Sequence, residues 1–341
     1  MLPFLKPQEE TVNYAIVGKL PNRPDFVRIN ATHPVVDEFD ELIQNAMTQL
    51  LNEPESEQRY LGTVTDFYYT SRDQHWVFMG VLMGSHDLSG RRFPFFAGIV
   101  LPCMQIAPDA ALTPISHEIY FDELRRQIAN AIDNAVEAIS CQAYLHTQCN
   151  DESCSAVDFT LARDLVERFS TSQTVSRLSQ VLALDTKPAA LDQALLNIAC
   201  YGDFLRRFEN PATLQEIVLS LPVETGEGTL IAAEWLSLLM AAWGLPTWRG
   251  SYFIRRDDNS AWLAASYGRI PERFLPWIVG GTLNDSVRLN LVVEEDAWRA
   301  HAYYAETAYA LGRLLSDPGA SMLALRAALI EIGHKLARDP R

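Results

Sequence analysis

Basic residues are scarce in this chain. Its 341 residues include 28 Lys and Arg against 43 Asp and Glu, a formal net charge of −15. Nucleic acids are held chiefly by cations that neutralise phosphates, so an acidic protein needs a strong local basic patch to bind them. The nearest approaches are the isolated pairs Arg91–Arg92, Arg125–Arg126, Arg206–Arg207 and Arg255–Arg256, and no nucleic-acid partner is expected. The same acidity disfavours anionic membrane surfaces and favours solubility and partners with basic faces. Long apolar runs are missing too. A membrane span needs about 18 apolar residues, and the best stretch, 230–245, is interrupted by Glu234 and Ser237; no direct membrane insertion is expected. The first ten residues lack an apolar core of signal-peptide length, so the expected compartment is the cytoplasm. Cysteine is sparse: Cys103, Cys141, Cys149, Cys154 and Cys200 form an odd set without repeating spacing, which gives no disulfide framework. No repeat of about 20–50 residues recurs, so a solenoid is excluded.

What is present is ordinary globular composition, 48% hydrophobic and 21% charged, in a chain long enough for two domains or for one with a sizeable addition. Residues 14–18 form a short apolar run ended by glycine. A helix is expected over 35–51, where Val36, Phe39, Leu42, Ile43, Met47 and Leu50 recur at helical spacing with acids on the early turns. Residues 63–69, 76–83 and 93–101, rich in β-branched and aromatic side chains, read as strands, the last two joined by a hairpin-type loop over 84–92.

The middle reads as helical. One long amphipathic helix is expected from Phe121 through Ala135 and Val136 to Ile139. After a polar break at 149–155, helices follow over 158–169, 175–184, 189–208 (with Pro188 at its start), 211–221 and 230–243. Strands return at 251–255 and 261–265 around the turn-prone Asp257-Asp258-Asn259. A short helix over 271–279 and two longer ones over 294–315 and 318–337 complete the chain, with Asp317 at a cap position. Strands first and helices afterwards predict an α+β fold.

Candidate chemistry is thin. Gly18-Lys19 lacks the phosphate-loop pattern, because Asn13 stands where its first glycine belongs and Leu20 where Ser or Thr would reach magnesium. Ser85-His86-Asp87 supplies the three triad residue types, but adjacent loop residues point apart, and no Gly-x-Ser-x-Gly elbow accompanies them. Cys141, His146, Cys149 and Cys154 lack the short paired spacing of a zinc knuckle. Asp257-Asp258 reads as a turn rather than a catalytic carboxylate pair, and the seven tryptophans as core. Nothing here specifies a reaction, and no metal or cofactor is expected.

Two segments are more informative. One is Val17-Gly18-Lys19-Leu20-Pro21-Asn22-Arg23-Pro24-Asp25-Phe26-Val27-Arg28. The other is Gly80-Val81-Leu82-Met83-Gly84-Ser85-His86-Asp87-Leu88-Ser89-Gly90-Arg91-Arg92-Phe93-Pro94. In order and spacing they resemble the TagF (ImpM) family of type VI secretion-associated proteins. That family opens with a strand into Gly-Lys-Leu/Met-Pro and Gly-Asp-Phe, and later carries a Trp-containing strand, an Asp-bearing loop and Gly-Arg-x-Phe-Pro. A weaker echo lies in Ser251-Tyr252-Phe253 and in Gly268-Arg269-Ile270-Pro271 with Phe274. The resemblance is strong over residues 13–102 and weak to about 282. Pro24 departs from the family's usual glycine and fixes φ near −65°.

The resemblance implies an α+β fold, a largely antiparallel sheet packed with helices and carrying additional C-terminal helices. It divides the chain into a TagF-like domain over 10–285, with a helical insertion at about 145–210, and a C-terminal helical extension over 286–341. The implied function is that of a cytoplasmic, non-enzymatic, post-translational repressor of type VI secretion. Such a protein engages a forkhead-associated-domain scaffold; the alternatives are a structural subunit of the apparatus and a hydrolase using Asp25, His86 and Asp87. Some relatives are fused to a phosphatase domain, but this chain has no phosphatase metal motif. The motif residues Lys19, Arg23, Asp25, Phe26, Arg28, Asp87, Gly90, Arg91, Phe93 and Pro94 have two readings. On one they brace neighbouring loops, with Lys19 or Arg28 pairing with Asp25 and Arg91 or Arg92 with Asp87 or Asp25. On the other the same loops form a partner-binding face, arginine being over-represented at interfaces.

Overall fold

A computed structural model describes residues 13–53, 56–134, 138–150, 156–185, 187, 189–207, 214–224, 226–293, 296–299 and 302–337. Among them are β1 (Tyr14–Gly18), β2 (Val27–Ile29), β3 (Val64–Thr70), β4 (Trp76–Met83), β5 (Phe95–Pro102), β6 (Ile217–Leu221), β7 (Tyr252–Asp257) and β8 (Ser260–Ala265). All eight join one antiparallel sheet in the order β2-β1-β5-β4-β3-β7-β8-β6. The register sets Met79 opposite Ile99, Tyr68 opposite Met79, and Phe67 opposite Phe253.

Successive strand residues point to opposite faces, and both faces are covered. One buries Ala15, Val17, Phe67, Phe78, Phe96 and Phe253 beneath α1 (Pro34–Leu50) and α11 (Leu275–Ile278). The centre of that layer is Phe39 of α1, whose ring lies 4.3 to 5.5 Å from those of Phe67, Tyr69, Phe78 and Phe96, in the offset and tilted arrangements aromatic pairs favour. The start of α1 follows from its sequence: Pro34 occupies the first turn and His33 Nδ1 accepts from the Val35 N–H at 3.3 Å.

The opposite face carries a thicker layer. Ile16, Met79, Val81, Phe95 and Ile99 meet a core shared with α5 (Glu118–Asp133), α6 (Ile139–Asn150), α7 (Ala156–Ser172), α9 (Leu191–Arg207) and α10 (Glu227–Ala242). α8 (Val175–Leu182) packs on β6 and α9, and outside the layer lie α13 (Tyr304–Leu315) and α14 (Met322–Ala337), with short helices α2 (Ser56–Gly62), α3 (Cys103–Ile106), α4 (Thr113–Ser116) and α12 (Asp296–Arg299) at connections. Twelve of the sixteen residues of α10 are buried, as befits a helix with neighbours on most sides. No helix among the described residues is long and apolar enough to cross a membrane.

The expected α+β class with a largely antiparallel sheet is what the chain forms, and most elements fall where expected. Four expectations need correction. The single helix from Phe121 to Ile139 is two: α5 ends at Asp133, with Asn134 outside helical backbone (φ −99°, ψ 6°) and bonded to Asn130 Oδ1 at 2.7 Å. Tyr144 donates to the Tyr120 carbonyl at 3.3 Å, so α6 folds back along α5. Asn and Asp offer the backbone local alternatives to the helix, whereas apolar spacing carried on across the break; Ala135 and Val136 lie outside the described residues. The expected helix over 211–221 gives strand β6 at Ile217–Leu221, every residue of it buried, and a strand buried on both faces has no period-2 signal. The expected helix over 294–315 is divided into α12 and α13. The last helix starts at Met322 rather than near Pro318: Asp317 Oδ1 accepts from Gly319 N in a turn, and Ser321 Oγ accepts from Ala324 N. Pro188 and Cys154 lie outside the described residues.

Candidate functional site

The two motif segments are the loop from β1 to β2 and the loop from β4 to β5. Because β1 pairs with β5, both loops leave the same end of the sheet. Gly18 closes β1 at φ +137°, and a Cβ there would come within 2.2 Å of the Pro94 carbonyl oxygen; only glycine tolerates both. Gly90 turns the second loop at φ +78°.

Asp87 lies between the loops with its side chain fully covered. Its Oδ1 accepts from the N–H groups of Ser89 and Arg91, each at 2.9 Å; its Oδ2 meets Arg91 Nε at 2.7 Å and Lys19 Nζ at 3.0 Å. Burial pushes this carboxyl upward, but the Arg91 N–H, the Lys19 and Arg91 side chains and the Ser89 N–H outweigh it and hold it well below the usual carboxylate range. Further bonds clasp the loops together. Arg91 donates to the Pro24 carbonyl at 3.0 Å, Leu88 N to the Arg23 carbonyl at 3.0 Å, and Ser85 Oγ to the Lys19 carbonyl at 2.7 Å. Tyr60 of α2 braces the base, donating to the Ser85 carbonyl at 2.5 Å and accepting from Ser85 N at 2.9 Å.

Of the ten motif residues, Lys19, Asp87, Gly90 and Arg91 build this clasp. Pro94 is buried beside Gly18, and Phe93 is buried with its ring 4.9 Å from that of Phe26. Arg28 departs from its expected pairing with Asp25: it binds Asp40 at 2.5 Å and Asp37 at 3.0 Å on α1, and so ties β2 to that helix. Lys19 and Arg91 both take Asp87, not Asp25. Asp25 is exposed and makes no ion pair among the described residues; Arg23 is exposed too. Sequence reasoning missed Tyr60, for which no local pattern exists, and Leu88. An apolar residue inside the polar turn Asp87-Leu88-Ser89-Gly90 was the available signal for Leu88. It is 66% exposed.

The serine, histidine and aspartate types do not converge. Ser85 Oγ goes to the Lys19 carbonyl, His86 Nδ1 lies 2.9 Å from the Asp87 carbonyl oxygen, and the Asp87 carboxylate faces cations and backbone N–H groups. Among the described residues no cluster of three His, Cys, Asp or Glu could hold a metal ion. Burial pushes the Cys141 thiol up to about 12 and the Cys149 thiol to about 11, and Cys149 Sγ donates to the Asn13 carbonyl at 3.4 Å. Three arginines of the two pairs Arg125–Arg126 and Arg255–Arg256 are consumed internally, while Arg126 is exposed. Arg125 and Arg256 both grip the buried Asp66. Arg255 binds Asp257, donates to the Trp277 and Gly281 carbonyls at 2.9 Å, and lies over the rings of Trp262 and Trp277. That buried cation fastens the 271–281 segment to the sheet.

The outward result is a small face. Leu88 and Phe26, 66% and 38% exposed, stand beside the arginines Arg23 and Arg91. The backbone beneath them is fixed by a saturated buried carboxylate.

Residues 15–148 match the type VI secretion system-associated TagF N-terminal domain. No curated protein matches the chain. Among solved structures it is similar to PA0076 from Pseudomonas aeruginosa PAO1, at 20% identity over 39% of this chain, with a TM-score of 0.31 that is too low to support a shared fold; the matched part spans 60% of that chain. Both clasped loops, and strands β1 to β5 except Tyr14, lie inside the segment that is similar to this TagF N-terminal domain.

Proposed function

We propose that this chain is a cytoplasmic accessory protein of a type VI secretion system that represses the apparatus post-translationally by binding a forkhead-associated-domain scaffold, without catalysing a reaction. The observation that carries this reading is the clasp around Asp87. Both family motifs converge on it, and together they hold Leu88, Phe26, Arg23 and Arg91 outward on rigid backbone. Apolar and arginine anchors on a preorganised surface are what protein interfaces use, since little ordering cost remains at binding. The hydrolase alternative would need Asp25, His86 and Asp87 to converge in a pocket; the Asp87 side chain is covered and committed to Lys19 and Arg91, His86 Nδ1 faces the Asp87 carbonyl oxygen, and Asp25 is exposed.

The test is capture of the host's forkhead-associated-domain component by the purified protein, by Leu88→Asp and by Phe26→Asp. Leu88 is largely exposed, whereas Phe26 also packs on Phe93, so Leu88→Asp is the deciding variant. Wild type captures the component and each variant loses at least about tenfold in affinity, a typical hot-spot effect. Capture by the variants equal to wild type, or none by wild type, contradicts the proposal.

A further inference from the structure

Away from the clasp, an open groove of about 620 Å³ runs between α7, α10 and α14, closed at one end by residues 108–112 and 244–246. Its size is that of a small-molecule pocket. The walls are largely apolar, with Leu112, Val166, Met240, Leu245 and Ile330 among the lining residues. The charges set into them are not balanced alike. Arg163 is bound to Asp109. Glu167 is exposed. Arg326 is half-buried and makes neither a hydrogen bond nor an ion pair with any described residue.

The acid that feels the Arg326 charge is Glu234 of α10, which is buried. Ser170 Oγ donates to its Oε2 at 2.5 Å, and its Oε1 has no partner. Burial pushes this carboxyl up, against the pull of Arg326 and the Ser170 bond, and no ion pair joins it to Arg326. A half-buried guanidinium in an apolar wall, its N–H groups bonded to no described residue, is a ready receptor for an oxyanion.

We propose that the groove binds an amphipathic monocarboxylate, its carboxylate on Arg326 and its apolar body along Met240, Leu245 and Ile330. A multiply charged phosphate fits less well. The second cation, Arg163, is already neutralised, and Glu167 at the rim repels added negative charge.

The probes are decanoate and the uncharged decanol, titrated into the full-length protein by calorimetry below their aggregation limits. Decanoate binds wild type at least about tenfold more tightly than decanol, the margin expected of a charge-assisted hydrogen bond. Arg326→Met removes that margin and leaves decanol unchanged, Arg326→Lys retains part of it, and Met240→Trp, which fills the groove, weakens both probes. Failure of decanoate to bind wild type, equal affinity for the two probes, or an Arg326→Met protein that keeps the margin each overturns the proposal. The Arg326 variants decide the matter even if Met240→Trp does not fold.

Discussion

Two buried carboxylates in this molecule have opposite fates. Asp87, under the clasped loops, receives two backbone N–H groups and two cations. Glu216, beside β6, is equally inaccessible, but neither of its carboxylate oxygens has a hydrogen-bond partner. Only its backbone is engaged, pairing with Val287 and Leu289. The first is held ionised by its partners; desolvation alone pushes the second well above the usual carboxylate range. Burial by itself therefore does not determine charge: the donors supplied by the local loop do. The saturated acid belongs to the segment matched to the family, and the orphaned one lies outside it.

The comparison can be broken most severely at Asp87. Asp87→Ala leaves Lys19 and Arg91 without their shared anion and two loop N–H groups without an acceptor. The expected outcome is a Tm lowered by several degrees and faster amide exchange at residues 85–92, read by calorimetry and hydrogen exchange.

The two acids should next separate by pH. A depressed folded pKa contributes stability above the unfolded carboxylate range, which is lost as pH falls toward the folded value; this is the expected behaviour of Asp87. A raised folded pKa acts the other way for an acid. The unfolded chain ionises first, so stability falls as pH rises from about 4.3 toward the folded value, with a slope of at most about 1.4 kcal/mol per pH unit for one proton. Glu216→Gln should therefore raise Tm at pH 8 and change it little at pH 4, as measured by thermal denaturation at both pH values. A Tm unchanged at pH 8 would mean that Glu216 is not neutral in the folded protein.

Smaller effects sharpen the picture. Lys19→Met removes one of four groups from Asp87, and Arg91 with both N–H groups remains. Chemical denaturation should show a loss clearly smaller than that of Asp87→Ala. Leu88→Ser alters an exposed side chain and should leave stability within about 0.5 kcal/mol while weakening partner capture. That split distinguishes a binding residue from a bracing one.

How much of this was legible in the sequence differs by region. Strands β3, β4 and β5 could be read from their concentration of β-branched and aromatic residues, α1 from its period-3.6 pattern, and the hairpin of β7 and β8 from the turn chemistry of Asp257-Asp258-Asn259. β6 could not, since Ile217 to Leu221 is buried on both sides and its apolar run fits a helix as well. The break after α5 was hidden because apolar spacing continued through it. At the site the glycines were legible, whereas Asp87–Arg91 was one of four pairings that the sequence left open, Arg91 or Arg92 with Asp87 or Asp25. The pairing of Arg28 with α1 was not, because Asp37 and Asp40 reach it only through the packing of a helix whose side-chain directions spacing does not fix. Arg326 and its groove had no sequence signal at all, being assembled from three helices far apart in the chain.

The most direct measurement is secretion of the apparatus's tube protein in the native host, with this protein deleted and then restored as wild type or as Leu88→Asp. Deletion is predicted to raise secretion, wild type to silence it, and Leu88→Asp, folded and present at normal levels, to leave it raised. Loss of secretion on deletion, or silencing by Leu88→Asp equal to wild type, would contradict a repressor acting through the clasped loops.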